Sequence, residues 1–257
     1  MYIAIPSYKR ATTIGKKTLR VLREEGFLAS DINIFVANQE EADIYKKTVD
    51  ASLYNDIIVG VPTIQAQRKF IQNYYPRGFY VLQMDDDIRG FLKLRECHLP
   101  TLFLEAFDYC RENVIPMWGI YPCDNIRFMK DRWNEGLFLV CGICYGSIIN
   151  HIEPAVDIKD DWALSLAAYK EYGKLLRLDF IAPKTTFWGG TGGLNEYRTL
   201  EKEKEVADKL LELFPEYIER VYTKHNGHPD IKLKRLPRVH SLNQNPLVAL
   251  TLPDGLV

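Results

Sequence analysis

Three consecutive carboxylates, Asp85-Asp86-Asp87, follow directly on the apolar run Phe79-Tyr80-Val81-Leu82-Gln83-Met84. Adjacent carboxylates repel, and each gains from a nearby cation. In open parallel sheets, ligands bind beyond the carboxyl ends of strands. A strand that runs straight into this triad therefore sets it where a ligand sits. In an extended segment Asp85 and Asp87 share one side, and Asp86 points away. That pair suits a hard cation, Mg²⁺ or Mn²⁺, with phosphate oxygens completing the shell. The plainer reading is an acidic turn or the cap of a following helix; the strand leading into the triad argues for the metal.

A second acidic site, Asp160-Asp161-Trp162, opens a helical stretch over 163–172. A hydroxyl is a poor nucleophile, so a carboxylate placed beside it can take its proton during attack. Trp162 offers a flat face for a sugar or a base. Equally, Asp favours helix starts because it suits the cap and the dipole.

Cationic and aromatic candidates sit nearby in sequence. Pro6-Ser7-Tyr8-Lys9-Arg10 follows the first apolar strand. Tyr8 could stack on a base, and Arg10 could reach a phosphate, as could Arg68 in Gln65-Ala66-Gln67-Arg68. Either arginine could instead be a surface charge. Trp188-Gly189-Gly190-Thr191-Gly192-Gly193 permits unusual backbone angles and close approach of a ligand, or is an ordinary loop. From 224 to 238 five basic residues (Lys224, Lys232, Lys234, Arg235, Arg238) stand against one acid, Asp230. Such a patch can meet phosphate, though a solvated strand would look the same. His225, His228 and His240 show no zinc-type spacing.

The elements that must carry these residues alternate clearly at first. Apolar or β-branched strands are expected at 2–6, 32–37, 56–61 and 79–84, with helices at 12–25, 39–49 and 62–75 between them. This β-α-β-α-β-α-β order calls for a mostly parallel sheet with helices on both faces. Beyond 95 the pattern is less regular: a helix at 102–114, strands at 118–121 and 137–149, a helix at 160–172, and a strand at 175–182. A long charged helix over 195–221, breaking at Pro215, and a last strand at 231–236 complete the reading. The expected organisation is one α/β domain over 1–257. Residues 1–95 form a nucleotide half and 96–257 an acceptor half.

Composition excludes several classes. At 47% hydrophobic and 26% charged, with net charge −1, the chain is an ordinary globular one without a global basic field. No G-x-G-x-x-G follows the first strand and no P-loop occurs, which argues against nicotinamide chemistry and P-loop phosphoryl transfer. Five cysteines fit a reducing compartment better than a disulfide framework. Cys141 and Cys144 read as core. Lys9 and Arg10 cut short the apolar start, so no secretory leader is expected. No run is long enough to span a bilayer.

A strand ending in I-P-S-Y-K-R and a fourth strand ending in D-D-D resemble the GT-A glycosyltransferases with their D-x-D motif. Within that class, the order of elements, Asp160-Asp161-Trp162 and the glycine loop resemble the phage TET-associated glycosyltransferases. The resemblance implies a GT-A, Rossmann-like fold and transfer of a sugar from a UDP-sugar to 5-hydroxymethylpyrimidines in DNA, in the cytoplasm of a host cell. It implies donor contacts from Pro6, Tyr8, Arg10, Arg68, Asp85 and Asp86, and Mn²⁺ or Mg²⁺ on Asp85 and Asp87, with His240 as a late ligand. Asp161 becomes the base, with Asp160 as alternate. Trp162, Trp188, Gly189, Gly190, Lys232, Lys234 and Arg235 become acceptor contacts. Two rivals stay open: a GT-A enzyme acting on a protein, glycan or small molecule, and a nucleotidyltransferase.

Overall fold

The computed structural model of the protein describes residues 1–156, 158–185 and 199–236. In the first half β1 (Tyr2–Pro6), β2 (Ile32–Val36), β3 (Asp56–Val59) and β4 (Tyr80–Met84) form the expected strands. They are joined by α1 (Ala11–Ile14), α2 (Thr18–Glu24), α3 (Gln39–Thr48) and α4 (Ile64–Tyr74). The single helix expected over 12–25 is split in two, with a turn at 15–17 between the halves. Proline does not start the third helix. Thr63, in a left-handed conformation with φ 72°, is its cap, and its Oγ1 accepts from the Ala66 N–H.

The second half holds β5 (Gly90–Lys93), α5 (Leu99–Glu112), β6 (Met117–Ile120), β7 (Trp133–Gly136) and β8 (Cys144–Ile148). It continues with α6 (Asp160–Tyr172), β9 (Leu175–Leu178), β10 (Ile181–Lys184), α7 (Leu200–Leu213), β11 (Ile218–Thr223) and β12 (Pro229–Leu233). Several expectations are corrected here. Only the end of the 137–149 run pairs as a strand. The 175–182 run bends at Asp179-Phe180 into two strands in different sheets. The charged helix stops before Pro215, and the chain returns as a hairpin.

Eight strands form one sheet in the order β3-β2-β1-β4-β8-β6-β9-β7. β1, β2, β3 and β4 are parallel to one another. β8 runs antiparallel to β4 and β6, β9 runs parallel to β6, and β7 runs antiparallel to β9. β2, β6 and β8 are buried along their whole length, and β1 and β4 at all but their first residue, as expected where helices cover both faces. On one face Ile71 of α4 packs with Ala4, Phe35 and Val81, and Ala168 and Tyr169 of α6 pack with Met117 and Tyr145. On the other, α2 and α5 set Leu22, Phe103 and Phe107 against the strands. A satellite core joins α6, α7 and the β11–β12 hairpin through Ala163, Leu166, Leu210, Ile218 and Ile231. Among the described residues no helix is long and apolar enough to cross a membrane.

Candidate active site

The carboxyl ends of β1, β4, β6 and β9 and the start of antiparallel β8 share one edge of the sheet. Asp85-Asp86-Asp87 occupies the middle of it. Asp85 is anchored by its backbone: its N–H donates to Ile143 O (2.9 Å), and its carbonyl accepts from Thr18 Oγ1 (2.8 Å). The same Thr18 hydroxyl accepts from the Ile88 N–H (2.9 Å), so one side chain holds both ends of the acidic turn.

That turn corrects the expected alternation. Residues 86 and 87 leave the extended conformation. Asp86 and Asp87 then both face Arg10, and Asp85 alone faces Arg68. Arg10 Nη1 donates to Asp86 Oδ1 (2.7 Å) and Asp87 Oδ2 (3.1 Å). Ser7 Oγ donates to Asp86 Oδ2 (2.5 Å), and Thr185 Oγ1 donates to Asp87 Oδ1 (3.0 Å). Asp86 is almost fully buried, whereas the Asp87 side chain is 19% exposed.

The loop after buried Pro6 is held from α3. Ser7 Oγ lies 2.6 Å from the Tyr45 hydroxyl, which also accepts from the Arg10 N–H. Glu41 accepts from the Lys9 N–H (2.8 Å), and Lys9 adopts φ 55°. Burial and the nearby acids push Tyr45 up to about 12. Tyr8 stays exposed, with Lys9 Nζ 4.9 Å from its ring centre.

Arg68, on α4, reaches across to the second acidic site. Its Nη1 donates to Asp160 Oδ2 (2.5 Å), and its Nη2 donates to Gly142 O (3.0 Å) and lies 3.5 Å from Asp85 Oδ1. The guanidinium carbon is 5.9 Å from the ring centre of Tyr145. Gly142 makes room for it: a Cβ there would sit 2.4 Å from both η nitrogens. Burial alone would lower the Arg68 pKa, but Asp160 and the other acids outweigh it and hold the group charged.

Asp160 and Asp161 open α6. The cap itself is Lys159, in a left-handed conformation with φ 58°. Its buried ammonium donates to Pro229 O (2.8 Å) and lies 3.4 Å from Glu203, so α7 and the hairpin fix the start of α6. Asp160 is buried and committed to Arg68. Asp161 is only half-buried, accepts from the Trp162 N–H through Oδ1 (2.9 Å), and lies within electrostatic reach of Cys141 and Arg68.

Charge density here is unusual. Burial first, then Asp86, Asp87 and Asp160, push the Asp85 carboxyl up to about 7 against the pull of Arg68. Burial also raises Asp86, opposed by Arg10 and Ser7. Burial pushes Cys141 up to about 12 and Cys144 upward as well, so neither is a reactive thiolate.

Sequence comparisons found no matching family model and no matching curated protein. Among solved structures, the chain superposes on glucosyl-3-phosphoglycerate synthase from Mycobacterium tuberculosis, in complex with Mn²⁺, UDP and glucosyl-3-phosphoglycerate. The TM-score is 0.53 at 10% identity, covering 92% of this chain and 86% of that one. The same protein with Mn²⁺, UDP-glucose and phosphoglyceric acid gives 0.52 at 10%, covering 92% and 87%. S. aureus TarS gives 0.47 at 14%, covering 82% of this chain but only 40% of that one. The fold is that of the GT-A glycosyltransferases.

The GT-A sheet edge carries a donor set that fits a hard divalent cation. Asp85 is a carboxylate that burial and like charge make costly to ionise, so a cation there relieves it. Asp87, two residues on, has a side chain 19% exposed against 33% for Asp85. Among the described residues no group of three or more His, Cys, Asp or Glu is gathered for a metal, so a bound ion would need ligand oxygens as well. His240, Trp188, Gly189 and Gly190 lie outside the described residues.

The remaining candidates lie toward the satellite core and the hairpin. Trp162 packs partly against the satellite core. Lys232, Lys234 and Arg235 are exposed on the hairpin and the residues after it. Lys232 pairs with Glu219 (2.7 Å) and Lys224 with Asp230 (2.5 Å), while Lys234 donates to Pro215 O (2.7 Å). Ser7, Thr18, Tyr45, Gly142, Lys159 and Thr185 were not singled out from the sequence. Their roles depend on partners 35 to 98 residues away, which leave no local pattern.

Proposed function

We propose that this chain is a divalent-metal-dependent glycosyltransferase that moves a sugar from a UDP-sugar to a hydroxyl acceptor. One observation carries the reading. Two acidic sites, one at the end of β4 and one at the start of α6, converge on Arg68 at a single sheet edge. A donor diphosphate needs the first site, and a hydroxyl to be deprotonated needs the second.

In this reaction the acceptor oxygen bonds to the anomeric carbon as the bond from that carbon to the donor phosphate oxygen breaks. The electron pair leaves with UDP, and the hydroxyl proton passes to Asp161. Attack from the face opposite the leaving group inverts the sugar. Asp85 and Asp87 would hold the cation, which would supply charge to offset that on the departing diphosphate. Arg10, bonded to Asp86 and Asp87, is the cation we assign to a donor phosphate, and Tyr8 offers a face for the nucleobase. Arg68 pairs with Asp160 and so fixes the start of α6, which sets the direction of Asp161.

For the acceptor we favour a 5-hydroxymethylpyrimidine in DNA, carried out of the base stack or in a single strand. The support is the sequence resemblance and the exposed Phe128 on the acceptor half, which offers a stacking surface. A second reading, a small phosphorylated or sugar acceptor, is favoured by the pairing of Lys224 and Lys232 with acids, which leaves the hairpin little unpaired charge for a phosphate track.

The deciding experiment supplies radiolabelled UDP-sugars and Mn²⁺ with hydroxymethylpyrimidine DNA, unmodified DNA and small hydroxyl acceptors. Label on modified DNA alone, abolished by EDTA, is the expected result. Metal-dependent UDP release without labelled DNA would remove the DNA acceptor and keep the transferase. No UDP release with any donor would remove the transferase.

A further inference from the structure

Asp179 lies at the end of β9, is 1% exposed, and is held by two arginines. Arg132 Nε donates to its Oδ2 (2.8 Å), and Arg177 Nε donates to its Oδ1 (2.6 Å). One carboxylate against two guanidiniums leaves one net positive charge. Both forks are attached through Nε, and among the described residues their η nitrogens make no hydrogen bond. Arg177 is clamped between two rings, 5.0 Å from the centre of Tyr121 and 4.6 Å from that of Phe138. The Tyr121 phenol is within electrostatic reach of both guanidiniums. A rigid pair of arginines with spare donors is a phosphate-binding arrangement, because the forks are pre-organised.

Position gives this pair a role. β6 and β9 run parallel to β4, so Asp179 sits on the same sheet edge as Asp85. Between β4 and β9 lie three inter-strand spacings, about 14 Å in all. Neither the acidic turn nor Asp161 uses these arginines. Nearby acids do not cancel them: Asp131 is engaged by Arg95 at 3.4 Å.

We propose that Arg132 and Arg177, locked by Asp179, form an anion site that binds a phosphate group of the acceptor. This rests on the transferase reading for its role, but not for its existence. The phosphate could be the monoester of a small acceptor or the diester of a nucleic-acid strand, and binding measurements separate the two.

The test follows the Arg132 and Arg177 Nε–Hε signals by NMR in the full chain, without donor or metal. Glycerol phosphate (monoester) and a short oligothymidylate (diester) are titrated separately at constant ionic strength set with chloride. Saturable shifts of both signals are expected with at least one probe, and the tighter probe identifies the source. Arg132→Gln, at a 42% exposed side chain, should weaken binding by about tenfold or more, as should Arg132→Lys, which keeps the charge but loses the fork. Arg20→Gln, on α2, should leave it unchanged. Arg177 signals in the variants report that the clamp remains folded. Absence of saturable shifts with both probes, or equal binding by the Arg132 variants, would overturn the site. Neither result depends on glycosyl transfer.

Discussion

Arg68 Nη1 and Asp160 Oδ2 are joined at 2.5 Å, a bond that ties α4 of the first half to α6 of the second. Both side chains are nearly buried, 11% and 8% exposed. Removing one partner leaves the other charge uncompensated, which costs about 3–5 kcal/mol at such sites. Arg68→Met should lower stability by that order in urea unfolding. Arg68→Met combined with Asp160→Asn should recover part of the loss. A double variant as unstable as the sum of the two singles would show that the bond contributes nothing of its own.

Gly142 gives a separate handle on the same arginine. Gly142→Ala places a methyl 2.4 Å from the Arg68 η nitrogens, so the guanidinium must move. A loss of about 1–3 kcal/mol is expected from the overpacking, together with reduced transfer as Asp160 loses its partner. Normal activity in this variant would mean that the position of Arg68 is immaterial to the site.

Stability should depend on pH through Asp85. Its folded value, about 7, lies above the ordinary 3.8, so between them the folded state binds more protons than the unfolded one. The contribution is therefore fully present below about pH 4 and lost as pH rises through about 7. Asp86, also raised, acts in the same sense. In EDTA, the wild-type denaturation midpoint should fall across this window relative to Asp85→Asn. Parallel profiles for the two proteins would refute the assignment.

Asp87 bonds to Arg10 and Thr185, but Arg10 keeps Asp86 as a partner, so Asp87→Ala should still fold. It should weaken Mn²⁺ binding in the presence of UDP by about 10–100-fold, in the range seen when metal-site support is removed. Calorimetric titration reads this directly; unchanged affinity would take Asp87 out of the metal site.

Asp161→Asn should reduce turnover by about 10²–10⁴-fold, the usual contribution of a general base, while leaving donor binding intact. If Asp160→Asn instead lost turnover without losing stability, the base would be Asp160.

The sequence made the first half legible because its strands are short apolar runs bounded by amphipathic helices, and such periodicity survives without tertiary context. Asp85-Asp86-Asp87 was readable for the same reason: a triad at the end of a strand is a local pattern. β5 and β7 were missed because Gly90–Lys93 and Trp133–Gly136 are four residues each and owe their pairing to distant partners, β10 and β9. The 195–221 helix was overextended because its charge pattern runs up to Pro215, where only packing of Ile218 and Ile231 reveals a hairpin.

Residue types and their order along the chain therefore determined the sheet class, the acidic cluster beyond β4 and the carboxylates at the start of α6. Tertiary structure alone decided which charge faces which. It turned Asp86 and Asp87 toward Arg10, left Asp85 to Arg68, committed Asp160 to a buried ion pair and left Asp161 half-open. The physical reason is that an ion pair's partner is chosen by distance in space, and burial fixes that distance only once helices and strands far apart in sequence have packed together.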